Sequence, residues 1–474
     1  MRLKRKSVYV ASTGALMIAL GGLASTSALG TTGASTAAAQ LAIIKIYPDI
    51  RHVGHVEKAP PTTADCEAAF AVACYQPRQI QQAYNLPPLY RQRVTGKGKT
   101  IVLVDSIGSP TIKGDLSTFD KAFGLPAPPS LKMIQPAGKV PAFNPSSADM
   151  IGWAGETTLD VEYAHTIAPG ASILLVETPV SETEGVTGFP QIVEAENFVI
   201  NHHLGDVISQ SFGATEETFP GKKQIGQLRQ AYVNADRHKV TVLASAGDTG
   251  AADVKSDGVT FYESPVADWP ASDPLVTGLG GTQLHLDSNG GHTSPDTVWN
   301  DTYNVPTQQF IYGDNGPNPL STGGGKSKLF PRPSYQNDVS AEVGNGRGIP
   351  DISMSAACNG AVDVYQSIPG TTPGWYPTCG TSEASPEFAG IVALADQVAG
   401  HSLGLVNPAL YQLAQRREPG IVPVTAGNNT VSFTQDNQLF TAHGFSARNG
   451  YSTVAGVGTV NARFLVPELA RAAR

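Results

Sequence analysis

Thr100-Ile101-Val102-Leu103-Val104-Asp105 is an unbroken run of β-branched and apolar residues closed by an acid. Continuous rather than alternating hydrophobicity marks a strand covered on both faces. Ala171-Ser172-Ile173-Leu174-Leu175-Val176 reads the same way, and Asp206-Val207-Ile208-Ser209, Val240-Thr241-Val242-Leu243-Ala244 and Pro274-Leu275-Val276-Thr277-Gly278-Leu279 follow. Helix-length segments lie between them, at about 155–166, 189–203 and 222–237. Strand alternating with helix predicts an α/β fold, a mainly parallel sheet with helices on both faces. Such sheets present their chemistry at the carboxyl ends of the strands. Past about residue 286 the chain turns loop-rich, with Gly323-Gly324-Gly325, and a last helix follows Pro386 through 389–398.

The ends of the chain set its context. Arg2, Lys4, Arg5 and Lys6 precede a small-residue apolar run over 8–23, and Ala37-Ala38-Ala39 closes it, the order of a secretory signal over residues 1–39. Residues 40–75 read as a short linker or vestigial propeptide because of Lys58-Ala59-Pro60-Pro61-Thr62-Thr63, and 76–474 as the folded domain. The 474 residues, 41% apolar and 15% charged, exclude wholesale disorder. Removing residues 1–39, which hold four basic and no acidic side chains, takes the formal charge from −8 to −12. An acidic surface repels phosphates and anionic lipid, so neither nucleic acid nor stable membrane insertion after signal cleavage is expected. The expectation is a secreted, extracellular monomer.

The four cysteines of an exported chain point to disulfides, since no zinc-type spacing is present. Three connectivities are open. Cys66 with Cys74 and Cys358 with Cys379 are the local pairings, and the second would close a loop ending three residues before Ser382.

Ser382, in Gly380-Thr381-Ser382, stands at the start of the last helix, where a turn exposes a hydroxyl and helix amides favour developing negative charge. None of the ten histidines carries a hydrolase signature; His165 reads as a helix-terminal or surface residue. Glu156 and Asp160 are four apart on a predicted helix and project from one face. Two close carboxyls share one proton and titrate as a unit. Asp248, between glycines directly after the 240–244 strand, sits where an α/β sheet presents functional groups.

Glu156-x-x-x-Asp160, Ala246-Gly247-Asp248-Thr249-Gly250 and Gly380-Thr381-Ser382 followed by Pro386 resemble, in order and spacing, the sedolisin family of serine-carboxyl peptidases. Ile167-Ala168-Pro169-Gly170-Ala171, Ser209-Gln210-Ser211-Phe212-Gly213, Gly280-Gly281-Thr282 and Pro350-Asp351 are similar to the same family. The resemblance covers about residue 75 to the C-terminus. It implies a subtilisin-like fold and an acid-active endopeptidase acting on proteins or peptides. Ser382 would be the nucleophile, Glu156 the base, Asp160 its orienting partner and Asp248 the oxyanion donor. A carboxylate with a pKa near roughly 4 stays partly ionised in acid, where a histidine would be protonated. The 209–213 segment resembles the family's substrate-pairing edge, with Ser209, Ser211 and Gly213 binding substrate.

The family's large prosegment has no counterpart in length here, with about 36 residues between Ala39 and Tyr75. Its calcium site is also expected to be lost. Pro423 replaces the first carboxylate, Arg448 the first glycine and Ser452 the second aspartate, and calcium takes six to eight oxygens rich in carboxylate. Arg448 is expected to fill the vacated volume, with Asp436 as an alternative ligand, so no cofactor is expected. A secreted, catalytically silent binding protein on the same scaffold is the alternative reading.

Overall fold

The computed structural model describes residues 51–473; the secretory-signal reading of residues 1–39 lies outside them. The Thr100–Ser106 strand is central in an eight-stranded sheet. Neighbour to neighbour, the sheet runs Thr297–Val298, Thr277–Gln283, Thr241–Ser245, Val207–Gln210, Thr100–Ser106, Ser172–Thr178, Leu131–Ile134, and Ile352–Ser355 also pairs with Thr277–Gln283. Every pairing is parallel except that of Thr297–Val298.

The continuous apolar runs are explained by cover on both faces. Ile101, Leu103, Ile173 and Leu175 share one core with the Ala148–Ile167 and Thr381–Ala399 helices, and the Ala462–Ala472 helix packs on the latter. Val102, Val104, Leu174 and Val176 point the other way, toward the Phe189–Asn201 and Gln230–His238 helices. The Ala148–Ile167 helix is capped by Ser147, whose side chain accepts from Met150 N, and is buried all round from Trp153 to Ile167. It is longer than the predicted 155–166 helix, because an all-round buried helix shows no apolar stripe from which to read its start. The predicted 222–237 helix is broken into Lys222–Leu228 and Gln230–His238 at Arg229, whose guanidinium binds Asp273 at 2.8 and 2.9 Å.

The reading of residues 40–75 as a linker is corrected from residue 51 onward. Arg51–His52 pairs antiparallel with Gly374–Cys379, and Cys74–Tyr75 pairs parallel with Ala361–Gln366, making a four-stranded sheet. Thr63–Phe70 between them is helical. Its start was legible: Thr62 and Asp65 form a capping box, a signal that the neighbouring prolines concealed. Both local disulfides are present, Cys66–Cys74 and Cys358–Cys379. The second sits beside the turn that delivers Ser382, where Gly380 N also donates to Ala356 O at 2.9 Å.

The segments read as a lost calcium site are held by protein contacts. Ile421–Val422 pairs with Thr459–Val460, Ser452 and Gly456 exchange backbone hydrogen bonds, and Ser452 Oγ accepts from Ala455 N. Arg448 does not fill the vacated volume: it is more than half exposed and pairs with Glu342. Asp436 is exposed at the turn of the Val431–Gln435/Gln438–Ala442 hairpin, with φ 52°. Pro423, Arg448 and Ser452 contribute no carboxylate to these segments.

Candidate active site

Glu156 and Asp160 lie one turn apart on the Ala148–Ile167 helix, both fully buried. Asp160 Oδ1 accepts from Ser211 Oγ at 2.8 Å. Burial holds the Asp160 carboxyl well above the usual carboxylate range, and the charges of Asp105 and Glu156 push it further; only Ser211 opposes the rise. The physical cause is that a dry pocket tolerates one negative charge far better than two.

Asp105, the acid that closes the opening strand, is the site residue that the sequence reading passed over. It is fully buried and its carboxyl is pushed up to about 7, first by burial, with Glu177 adding and the Thr157 hydroxyl opposing. Its position at the carboxyl end of a central parallel strand was the available signal.

Ser382 is the second residue of the Thr381–Ala399 helix and is 8% exposed. The turn before it requires glycine: Gly380 has φ 134°, and a Cβ there would lie 2.5 Å from Asp248 Oδ2. Thr381 fixes Asp248, its N and Oγ1 each donating to Oδ1 at 2.7 Å. The Asp248 loop is itself wedged against Gly323, whose N donates to Gly247 O at 2.7 Å. A Cβ on Gly323 would meet Ala246 O at 1.8 Å, which accounts for glycine there.

Pro386 completes the arrangement. Inside the Thr381–Ala399 helix it has no N–H to give the Ser382 carbonyl four residues back. The Ser211 hydroxyl lies 3.3 Å from that carbonyl while also serving Asp160. One side chain thus joins the acid pair to the backbone of the serine.

The substrate-binding expectation is corrected in part. Ser209 belongs to a strand paired on both sides, by Thr100–Ser106 and Thr241–Ser245, and its Oγ lies 2.8 Å from Ser385 Oγ. It is interior, and its strand has no open edge. Ser211 faces inward to Asp160, so its hydroxyl is a link within the site. The pairing of that strand ends at Gln210, and the backbone of residues 211–213, with the partly exposed Gly213, lies beyond it. His165 is fully buried, with Nε2 2.7 Å from Pro126 O and 3.3 Å from Asp120 Oδ1, and is structural.

Residues 148–412 match the family model described as "Subtilase family". The chain is 30% identical over 370 residues to kumamolisin of Bacillus sp. (strain MN-32), covering 76% of this chain and 59% of that protein. It is 27% identical to sedolisin of Pseudomonas sp. (strain 101), covering 77% and 57%, and 25% identical to tripeptidyl-peptidase 1 of Canis lupus familiaris, covering 88% and 69%. Kumamolisin and sedolisin are thus matched over less than two thirds of their own length. Among solved structures, Pseudomonas sedolisin (serine-carboxyl proteinase) complexed with two molecules of pseudo-iodotyrostatin superimposes with a TM-score of 0.67 at 25% identity, over 83% of this chain and 97% of that one. With a buried acid pair, a helix-borne serine and an aspartate at a strand end assembled on a parallel sheet, the chain belongs to the subtilase family, in its sedolisin branch.

Proposed function

We propose that this protein is an exported serine-carboxyl endopeptidase that cleaves proteins or peptides in acid. The observation that supports this reading most is the placement of Ser382 between two buried acids, bound to Asp160 through Ser211 and to Asp248 through Thr381. Two close buried carboxyls share one proton; in this reading Glu156 is the base, and Asp160, whose carboxyl burial holds high, is its partner. Ser382 Oγ attacks the peptide carbonyl while its proton passes to Glu156. Asp248 Oδ1 is occupied by two donors, so a neutral Asp248 carries its proton on Oδ2 and gives it as a hydrogen bond to the new oxyanion. The C–N bond breaks as Glu156 returns the proton to the departing amine. Water then cleaves the acyl-serine ester, passing one proton to Glu156 and from there back to Ser382.

Ser211-Phe212-Gly213 is the backbone on which an extended substrate would lie, beyond the paired part of its strand. Calcium plays no part in this reading, and the protein acts as a monomer. Among the described residues no helix is long and apolar enough to cross a membrane. The test is cleavage of an unfolded protein at acid pH by the wild type and by Ser382→Ala, with products mapped by mass. Internal cuts that vanish in the variant support the endopeptidase. Release of tripeptides alone would reassign it as an exopeptidase, and equal inertness of both proteins would favour a silent binding protein.

A further inference from the structure

The Thr381–Ala399 helix carries a second carboxyl pair that the mechanism does not use. Glu383 follows Ser382 directly, and Glu387 lies one turn further on. Both are fully buried, and among the described residues no hydrogen bond reaches either oxygen of Glu387. Asp248 acts on Glu383, and Glu383 on Glu387, so the three acids form a chain running back from the oxyanion position into the core.

Other neighbours supply no counter-charge. Tyr84, at the end of the Pro77–Ala83 helix, feels both glutamates and Asp296, and its hydroxyl accepts from Ser355 N at 2.6 Å. Tyr163, from the Ala148–Ile167 helix, also feels both and donates to Asp363 O. Among the described residues, the Ser355 hydroxyl is the one polar group that favours a charge on Glu383. The Ala462–Ala472 helix and the Val207–Gln210, Thr241–Ser245 and Thr277–Gln283 strands also pack on this helix, and none presents a charged group that acts on either glutamate. No lysine, arginine or histidine among the described residues does so.

A carboxylate in such a place has at most one hydroxyl and no cation to stabilise it, and such groups stay protonated or open their pocket to water. Resting on the reading of Ser382 as the nucleophile, we propose that Glu383 and Glu387 are positioning residues that keep the first turn of the Thr381–Ala399 helix seated only while both are neutral. Ionisation would place a negative charge in the closed space behind Asp248, and the turn holding Thr381 and Ser382 is what must move to hydrate it. The alkaline limit of activity is thereby set behind the reacting groups as well as at them.

The experiment compares wild type, Glu383→Gln, Glu387→Gln, the double variant and Asp248→Asn, reading the pH profile of kcat/KM on an unfolded protein and the thermal unfolding midpoint across the same pH range. Glutamine keeps the shape and removes the charge. The double variant is expected to move the alkaline midpoint of kcat/KM up by about one pH unit or more, and to hold its unfolding midpoint to higher pH. Glu387→Gln, remote from Ser382, is expected to give part of both shifts if the double variant folds poorly. Profiles that coincide with wild type in both readouts overturn the proposal, as does a shift confined to Asp248→Asn. If no protein in the set shows Ser382-dependent cleavage, the peptidase reading fails, and the unfolding curves alone decide: a flatter alkaline decline in the glutamine variants supports the positioning role, and parallel curves remove it.

Discussion

Two helices packed against each other each carry two acids one turn apart, Glu156/Asp160 on Ala148–Ile167 and Glu383/Glu387 on Thr381–Ala399. All four are fully buried. The pairs differ in company. Asp160 accepts from Ser211, whose hydroxyl also reaches the Ser382 carbonyl, so the first pair is wired to the serine. The second pair has tyrosines beside it and, among the described residues, only the Ser355 hydroxyl to favour a charge on Glu383. Spacing and burial are therefore the same in both pairs, and what differs is hydrogen-bond supply and the link to Ser382.

The contrast breaks first at Glu156. Glu156→Gln is expected to lower kcat by about 10²–10⁴-fold with folding intact, since it removes proton acceptance at nearly constant shape. Glu387→Gln, the same change in the other pair, should fall far short of that in acid. Equal losses from both, read by steady-state kinetics at one acid pH, would erase the distinction.

Asp248 is held by Thr381 and acts on the second pair through Glu383. Asp248→Ala is expected to cost about 10²–10³-fold in kcat, the usual effect of losing one oxyanion donor. Asp248→Asn keeps an N–H donor at that position and should recover part of the loss. A variant ranking with asparagine below alanine would contradict the donor role.

The pairs also share their interior with other dry acids, and this sharpens the comparison through stability. Burial pushes Asp105 up to about 7, and Glu196 and Asp396 up to about 8. A carboxyl whose folded value lies above its unfolded value of about 4 contributes its full stability below that pH. The contribution is lost as pH rises through the folded value, because the native state then holds a buried charge. The thermal midpoint is expected to be highest near pH 4 and to fall steadily toward pH 8. A midpoint that rises over this window would show that these acids gain partners on ionisation.

Ser211→Ala tests the wiring itself. Removing the hydroxyl leaves Asp160 Oδ1 and the Ser382 carbonyl without it, at about 1–3 kcal/mol for a buried acceptor, so kcat is expected to drop on the order of tenfold or more. Ser209→Ala, whose partner is Ser385 deep in the helix packing, should leave the pH profile where it was. The smallest effect is expected at the calcium-type loops: Arg448→Ala removes an exposed ion pair worth about 0–1 kcal/mol, and excess calcium or chelator should move the unfolding midpoint little. A shift of many degrees between the two additions would reveal a metal site built from other ligands.

The sequence by itself determined the strands and their class, because a strand buried on both faces must be apolar throughout and Thr100–Ser106 and Ser172–Thr178 are. It also singled out Glu156, Asp160, Asp248 and Ser382, each in a pattern that is weak by itself, through the order and spacing in which those patterns resemble the sedolisin family. Tertiary structure alone decided what lies around them. Ser209 and Ser211 are two residues apart and looked equivalent, yet one packs against Ser385 and the other joins Asp160 to Ser382, because neighbours in space come from segments about 50 and 170 residues away. Residues 51–75 read as linker from their prolines and became two strands and a helix once their partners at 361–379 were in place. Asp105, Glu383 and Glu387 look like ordinary acids in the chain. Their chemistry is set by desolvation, which depends on how completely the fold closes over a side chain and on which donors and charges it leaves within reach.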